Sequence, residues 1–187
     1  MPTPGTAIRS TAEAQRARIT TAAVHVFAEK GYFATPIAEV AAEAGVSPAY
    51  VFRLFDGKLG VFVTAAAATY ARVAEALAVA GRACSSSDPD RRLDAMTEAY
   101  IALIEDRDLL MMQAQAQSAS SIPEIRDAVR SGLAEVVEAV RDVSGAEPAA
   151  VQRFLAYGQL CHLIVQTDLT GVRSSWAESV TAGIRHT

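Results

Sequence analysis

The chain has 187 residues, a formal net charge of −4 and a hydrophobic content of 51%, of which few residues are aromatic. That length holds one or two small domains, and abundant alanine without sustained apolar–polar alternation excludes a sheet-based fold in favour of an all-α one. A sequence pI near 5.4 excludes a protein that holds nucleic acid by bulk positive charge alone.

Residues 1–10 are rich in Pro, Thr, Ser and Gly and read as a mobile tail, with Arg9 available as an arm. Ser10 and Glu13 have capping-box spacing for a first helix. Ile19, Ala23, Val26 and Phe27 form its inner face and Gly31 ends it. Thr35 then offers an N-cap with Pro36 at the first helical position. Ile37, Val40, Ala41 and Ala44 recur at helical spacing, and Gly45 sits where a left-handed residue would stop the helix. Ser47 and Pro48 repeat the cap-and-proline start. Two such starts with a glycine stop between them specify helix, turn, helix.

The second of these helices, roughly 48–54, has two faces. Val51 and Phe55 lie one turn apart and point inward, whereas Ala49, Tyr50 and Arg53 point outward. Arg suits a guanine edge or a phosphate, Tyr a phosphate or a sugar, and Ala a thymine methyl. Asp56, Gly57 and Lys58 open a further helix, whose N-terminus with its lysine suits a phosphate.

The block from about Arg16 to Phe62 closely resembles the N-terminal domain of the tetracycline-repressor (TetR) family. The resemblance rests on FAEKGY at Phe27–Tyr32, on Thr35, on AGVS at Ala44–Ser47, and on Phe55 and Lys58. It covers about a quarter of the chain. It implies a DNA-binding domain over 10–57, and an effector-binding and dimerisation domain over 58–187. In this picture Thr35, Ser47, Tyr50 and Lys58 position phosphates, and Arg53 and Ala49, with Tyr50, touch bases. The family often has Tyr where this chain has Phe52 and His where it has Leu54, both commonly phosphate-holding. Neither residue here carries a donor, so both are expected to be packing residues. These departures favour a rival of another class, a helical small-molecule-binding protein whose head no longer reads DNA.

The charge is uneven. Residues 1–60 hold six basic groups against five acidic ones, and the remainder is clearly acidic. A near-neutral head on an acidic body would turn the head toward DNA while limiting non-specific binding.

A long connecting helix is expected over 57–82. Its charge-free stretch, Leu59–Ala71, is shorter than the ~20 residues of a membrane span. Ser85–Pro89 forms a loop. Helices follow over 90–105, with Leu93, Met96, Thr97, Tyr100 and Leu103 inward, and over 107–119. Others span 123–143, with Ile125, Val129, Leu133, Val136 and Val140 inward, then 148–169 and 176–184. The two long C-terminal helices, with Ala156 and Gly158 permitting close approach, suggest a two-fold homodimer.

The methionine- and glutamine-rich segment around Met111, Met112 and Gln115 suggests a pocket for a largely apolar effector, joined by Tyr70, Tyr100, Tyr157 and Trp176. Cys84 and Cys161 have no metal or redox spacing, and the N-terminus lacks an apolar signal core, which fits a reducing cytoplasm. No catalytic or cofactor fingerprint occurs, and His25, His162 and His186 are scattered. A regulator with no cofactor and no metal is therefore expected rather than an enzyme.

Overall fold

The structure is a computed structural model that describes the backbone of residues 4–182 and the side chains of residues 12–182. Among the described residues every regular element is helical: α1 Pro4–Ala34, α2 Ile37–Glu43, α3 Pro48–Phe55, α4 Gly57–Ala83 and α5 Pro89–Leu103 come first. Then follow α6 Arg107–Ser118, α7 Pro123–Ser144, α8 Pro148–Gln166, a 3-10 turn at Leu169–Gly171, and α9 Ser175–Thr181.

Two expectations at the N-terminus change. The backbone is already helical from Pro4, so Ser10 lies inside α1 and cannot cap it. The arm role of Arg9 concerns a side chain outside the described ones, as does His186, and Ile184 lies outside the described residues. At the other end α8 stops at Gln166 rather than Leu169. Thr167 closes it through its N–H to the Leu163 carbonyl (3.2 Å), and Asp168 turns left-handed (φ 51°) into the 3-10 turn.

The chain divides into two compact units. One runs up to Thr69 and also takes in Met111–Ser131; the other comprises Tyr70–Leu110 and the chain from Gly132 onward. Each therefore draws on segments distant in sequence. In the first, Ile19, Ala23 and Phe27 of α1 are buried, as are Val40 of α2, Val51 and Phe55 of α3, and Phe62 of α4. Phe27 and Phe62 meet edge-to-face at 4.8 Å, and Tyr32 and Phe62 at 5.1 Å, the favoured geometry for ring quadrupoles. Met112 and Ala116 of α6 and Ile125 of α7 complete this buried set.

In the second unit the buried side chains include Tyr70 and Leu77 of α4, Met96 of α5, Ile104 at its C-terminal cap, Val140 of α7 and Ile164 of α8. Leu133 was expected on the inner face of α7 but is 37% exposed. Gly132 takes the inward position instead, because a Cβ there would lie 2.4 Å from the Tyr70 ring. Arg92 secures the end of α7 by donating to the carbonyls of Val143 (2.9 Å) and Ser86 (2.8 Å). α4 is long and apolar enough to cross a membrane by length and composition, longer than its charge-free stretch suggested; 56% of its most apolar window is buried within the protein.

Candidate nucleic-acid interface

The helix–turn–helix forms from local signals. Pro36, extended at φ −75° and ψ 146°, is the N-cap of α2, and its carbonyl accepts from the Glu39 N–H at 3.0 Å. Gly45 turns left-handed (φ 63°), and the Val46 N–H reaches back to the Ala41 carbonyl at 2.9 Å. This satisfies the carbonyls that the end of a helix leaves open. The exposed Ser47 caps α3, its Oγ accepting from the Tyr50 N–H at 3.2 Å.

Thr35 is not the cap it was expected to be. Its side chain is fully buried and its hydroxyl donates to the Gly31 carbonyl at 2.7 Å, across a left-handed Gly31 (φ 73°). A hydroxyl turned inward and already donating holds the α1–α2 joint, and a phosphate role for that side chain does not fit its placement.

On α3, Val51 and Phe55 are buried, whereas Pro48, Ala49 and Arg53 are exposed. Tyr50 is half-buried, with the Arg53 guanidinium 5.5 Å from its ring centroid. Phe52, expected to pack, is instead 59% exposed. It lies four residues from the exposed Pro48 and three from the exposed Ala49, but also three from the buried Phe55, at the edge of the buried face, so helical periodicity alone did not place it. Leu54 is half-buried, as a packing residue should be.

Sequence reasoning passed over Arg16 as a positioning residue. Its guanidinium donates to the Leu54 carbonyl at 2.7 Å and lies 4.4 Å from the Phe55 ring centroid. A cation from α1 thus sits on the last carbonyls of α3, where the helix dipole favours positive charge, while Asp56 ends the helix left-handed at φ 58°.

Lys58, in the first turn of α4, is half-buried. Its ammonium stands 4.7 Å from the Tyr32 ring centroid and donates to the Phe33 carbonyl at 3.4 Å. Burial lowers its pKa from the ordinary lysine value. One long hydrogen bond leaves N–H groups available to an anion at the helix start. Lys30, by contrast, is committed to Glu39 at 2.6 Å, and that hydrogen bond raises its pKa.

With this geometry in hand, residues 19–65 match the bacterial regulatory proteins of the tetR family. The chain carries the TetR-family domain. The TetR-type head therefore coincides with the helix–turn–helix just described, from Ile19 in α1 to Ala65 in α4. No curated protein matches the chain. Solved structures share its fold well beyond the head. One is a putative transcriptional regulator from Pseudomonas aeruginosa PAO1, at 23% identity over 90% of this chain and 86% of that one, with a TM-score of 0.68. Another is the transcriptional regulator FadR from Bacillus subtilis, solved in complex with stearoyl-CoA. It is 19% identical over 90% of this chain and 98% of its own, with a TM-score of 0.69. The fatty acid degradation regulator FadR from Bacillus halodurans is 17% identical over 92% of this chain and 97% of its own, also at 0.69.

The expected effector residues fall in both units. Met111, Met112 and Gln115 belong to the first. Met112 is fully buried, and Gln115 lies against Gly31, where a Cβ would meet its Oε1. Gln115 thus supports the α1–α2 joint of the head. Tyr70, Tyr100, Tyr157 and Trp176 belong to the second unit. Tyr70 is a core residue over Gly132, and Trp176 is 58% exposed, which does not fit an interior pocket. Tyr157 lines a groove of about 480 Å³ between α5 and α8 with Thr97, Phe154 and Leu93.

Tyr100 Oη shares a hydrogen bond with His162 Nε2, and the rings are stacked. His162 is only 3% exposed, and its Nδ1 has no hydrogen-bond partner among the described residues. Desolvation pushes its pKa from 6.5 down to about 4, because burial disfavours the imidazolium. Above pH 6.5 the ring is neutral in both folded and unfolded chains and contributes no pH dependence. As pH falls from 6.5 toward 4 the unfolded chain takes the proton first, so stability falls. The expected loss is about 2 kcal/mol by pH 5. Urea unfolding at pH 7 and pH 5 checks this. His162→Gln should remove that share of the loss, and an identical pH dependence in wild type and variant would refute the assignment.

Proposed function

We propose that the chain is a homodimeric transcriptional repressor that binds a palindromic operator through α3 and leaves it when a small, largely apolar effector binds. Residues 10–57 would form the DNA-reading head, and 58–187 the effector-binding and dimerising body. Ser47, Tyr50 and Lys58 would position phosphates, with Ala49 and Arg53 at the base edges. The observation that carries this proposal is the exposed outer face of α3 with Arg53 on it, flanked by a lysine held in the first turn of α4. The stearoyl-CoA bound by the B. subtilis FadR supports an effector of apolar character. A DNA regulator of this kind would act in the cytoplasm.

Of the two helices expected at the dimer interface, α8 is the better suited. Gln152, Ala156, Gln159 and Leu163 are exposed along one uncharged face, with Leu163 at 49%. The outer face of α7 carries Asp127, Arg130, Glu138 and Arg141 instead. Val172 and Trp176 extend the exposed apolar surface beyond α8. Leu163→Glu should convert the dimer to a monomer in light scattering, because two facing carboxylates would have to be buried. A variant that remains dimeric would remove α8 from the interface.

The test of the function is selection of binding sites from random duplex DNA, followed by affinity measurement across salt. The expected result is a palindrome bound at least ~10³-fold more tightly than scrambled DNA. Absence of any enriched sequence at low salt, with the protein folded, would overturn it.

A further inference from the structure

We infer that Phe52 is a specificity-determining residue that reads thymine 5-methyl groups in the major groove. The inference rests on the DNA-reading function proposed above and names the chemistry it recognises.

Pro48, Ala49, Phe52 and Arg53 occupy positions i, i+1, i+4 and i+5 of α3, and all are exposed. They therefore share one face of the helix. Arg53 is the member of this face that can hydrogen-bond through its side chain; the other three present only carbon. An apolar side chain has one feature to distinguish in the major groove, the C5-methyl of thymine. Phe52 has no hydroxyl with which to hold a phosphate.

The ring is also held in place. It rests against Gly57, where a Cβ would stand 3.3 Å from it and where φ is 89°. Asp56 and Gly57 both have positive φ, so the turn from α3 into α4 lies directly beside the ring. Of the other phenylalanines in the head, Phe27, Phe55 and Phe62 are buried, and Phe33, at the end of α1 rather than on α3, is exposed. An aromatic ring left 59% exposed and braced from behind gains most from a partner that covers it with apolar surface. A thymine methyl provides that surface beside the phosphates taken by Ser47 and Lys58.

The experiment uses the full chain and the operator obtained by selection. Each thymine is replaced in turn by deoxyuridine, which removes the methyl and leaves base pairing intact. Affinities are measured for wild type, Phe52→Ala and Phe52→Tyr. At one thymine or more per half-site the wild type should lose roughly fivefold on demethylation. Phe52→Ala should bind the methylated and demethylated forms of that position equally, and Phe52→Tyr, which keeps the ring, should retain the discrimination.

A wild type insensitive to every deoxyuridine on an operator it binds specifically overturns the assignment and leaves the regulatory function standing; so does equal sensitivity in wild type and Phe52→Ala. A ring that merely covers deoxyribose gives the first of these results. A chain that selects no sequence overturns the regulatory function, and this inference with it.

Discussion

Gly60→Ala should cost more than about 3 kcal/mol and lower the melting temperature by roughly 10 °C. A Cβ at residue 60 would stand 1.7 Å from the Phe55 carbonyl oxygen, closer than any real contact. Its neighbour there is backbone, so no side chain can swing away. Either α3 moves off α4 or the helix ends unravel, and operator binding is lost in both cases. Gly45→Ala provides the contrast. That glycine has nothing within 4 Å but a φ of 63°, so the substitution costs only about 1 kcal/mol of backbone strain. Thermal melts of the two variants separate a steric cause from a conformational one. A Gly60→Ala protein melting with the wild type would show that the close approach of α3 to α4 is not required.

Arg53→Ala should weaken operator binding by ten- to a hundredfold and relax base preference at the position it contacts, a loss of about 1–3 kcal/mol. Lys58→Ala should behave differently. Its ammonium, braced by Tyr32 and the Phe33 carbonyl, would contact phosphate, so binding to all duplexes should weaken alike. The slope of log affinity against log salt should flatten by about one. Titrations of operator and scrambled DNA at several salt concentrations distinguish the two outcomes. Unchanged binding in both variants would take the interface away from this face of α3.

Much of the fold was legible because it is set by neighbours in sequence. Ser47 with Pro48 caps α3 through its own side chain at Tyr50, whereas Asp88 and Pro89, read as part of a loop, form the same start for α5 at Asp90. Pro123 and Pro148 begin α7 and α8. Each of these is a contest between a few adjacent residues, and short-range chemistry decides it.

The remainder depends on partners far along the chain. Arg16 finds the Leu54 carbonyl 38 residues away, and Tyr100 finds His162 at a separation of 62. Thr35 looked like a cap because its sequence context is that of a cap, but burial of the α1–α2 joint turned its hydroxyl back to Gly31. Leu133 kept perfect helical spacing and still lost the inner face to Gly132, because the Tyr70 ring required space that only a glycine leaves. Phe52 lies three residues before the buried Phe55 and four after the exposed Pro48, so its spacing fits either side of α3, and the lack of a hydroxyl did not decide between packing and exposure.

The composition of the first compact unit bears on how such proteins can be recombined. The TetR-family match ends at residue 65, yet the unit containing it also includes Met111–Ser131, with Met112, Ala116 and Ile125 buried and Gln115 seated on Gly31. A chimera that grafts this head onto another body by a single splice would leave those supports behind. Its α1–α2 joint would open to water, and the grafted head would be loosely folded. Transplanting the folded head from this chain therefore requires the exchange of both segments, and hybrids with two crossovers are the ones that should fold.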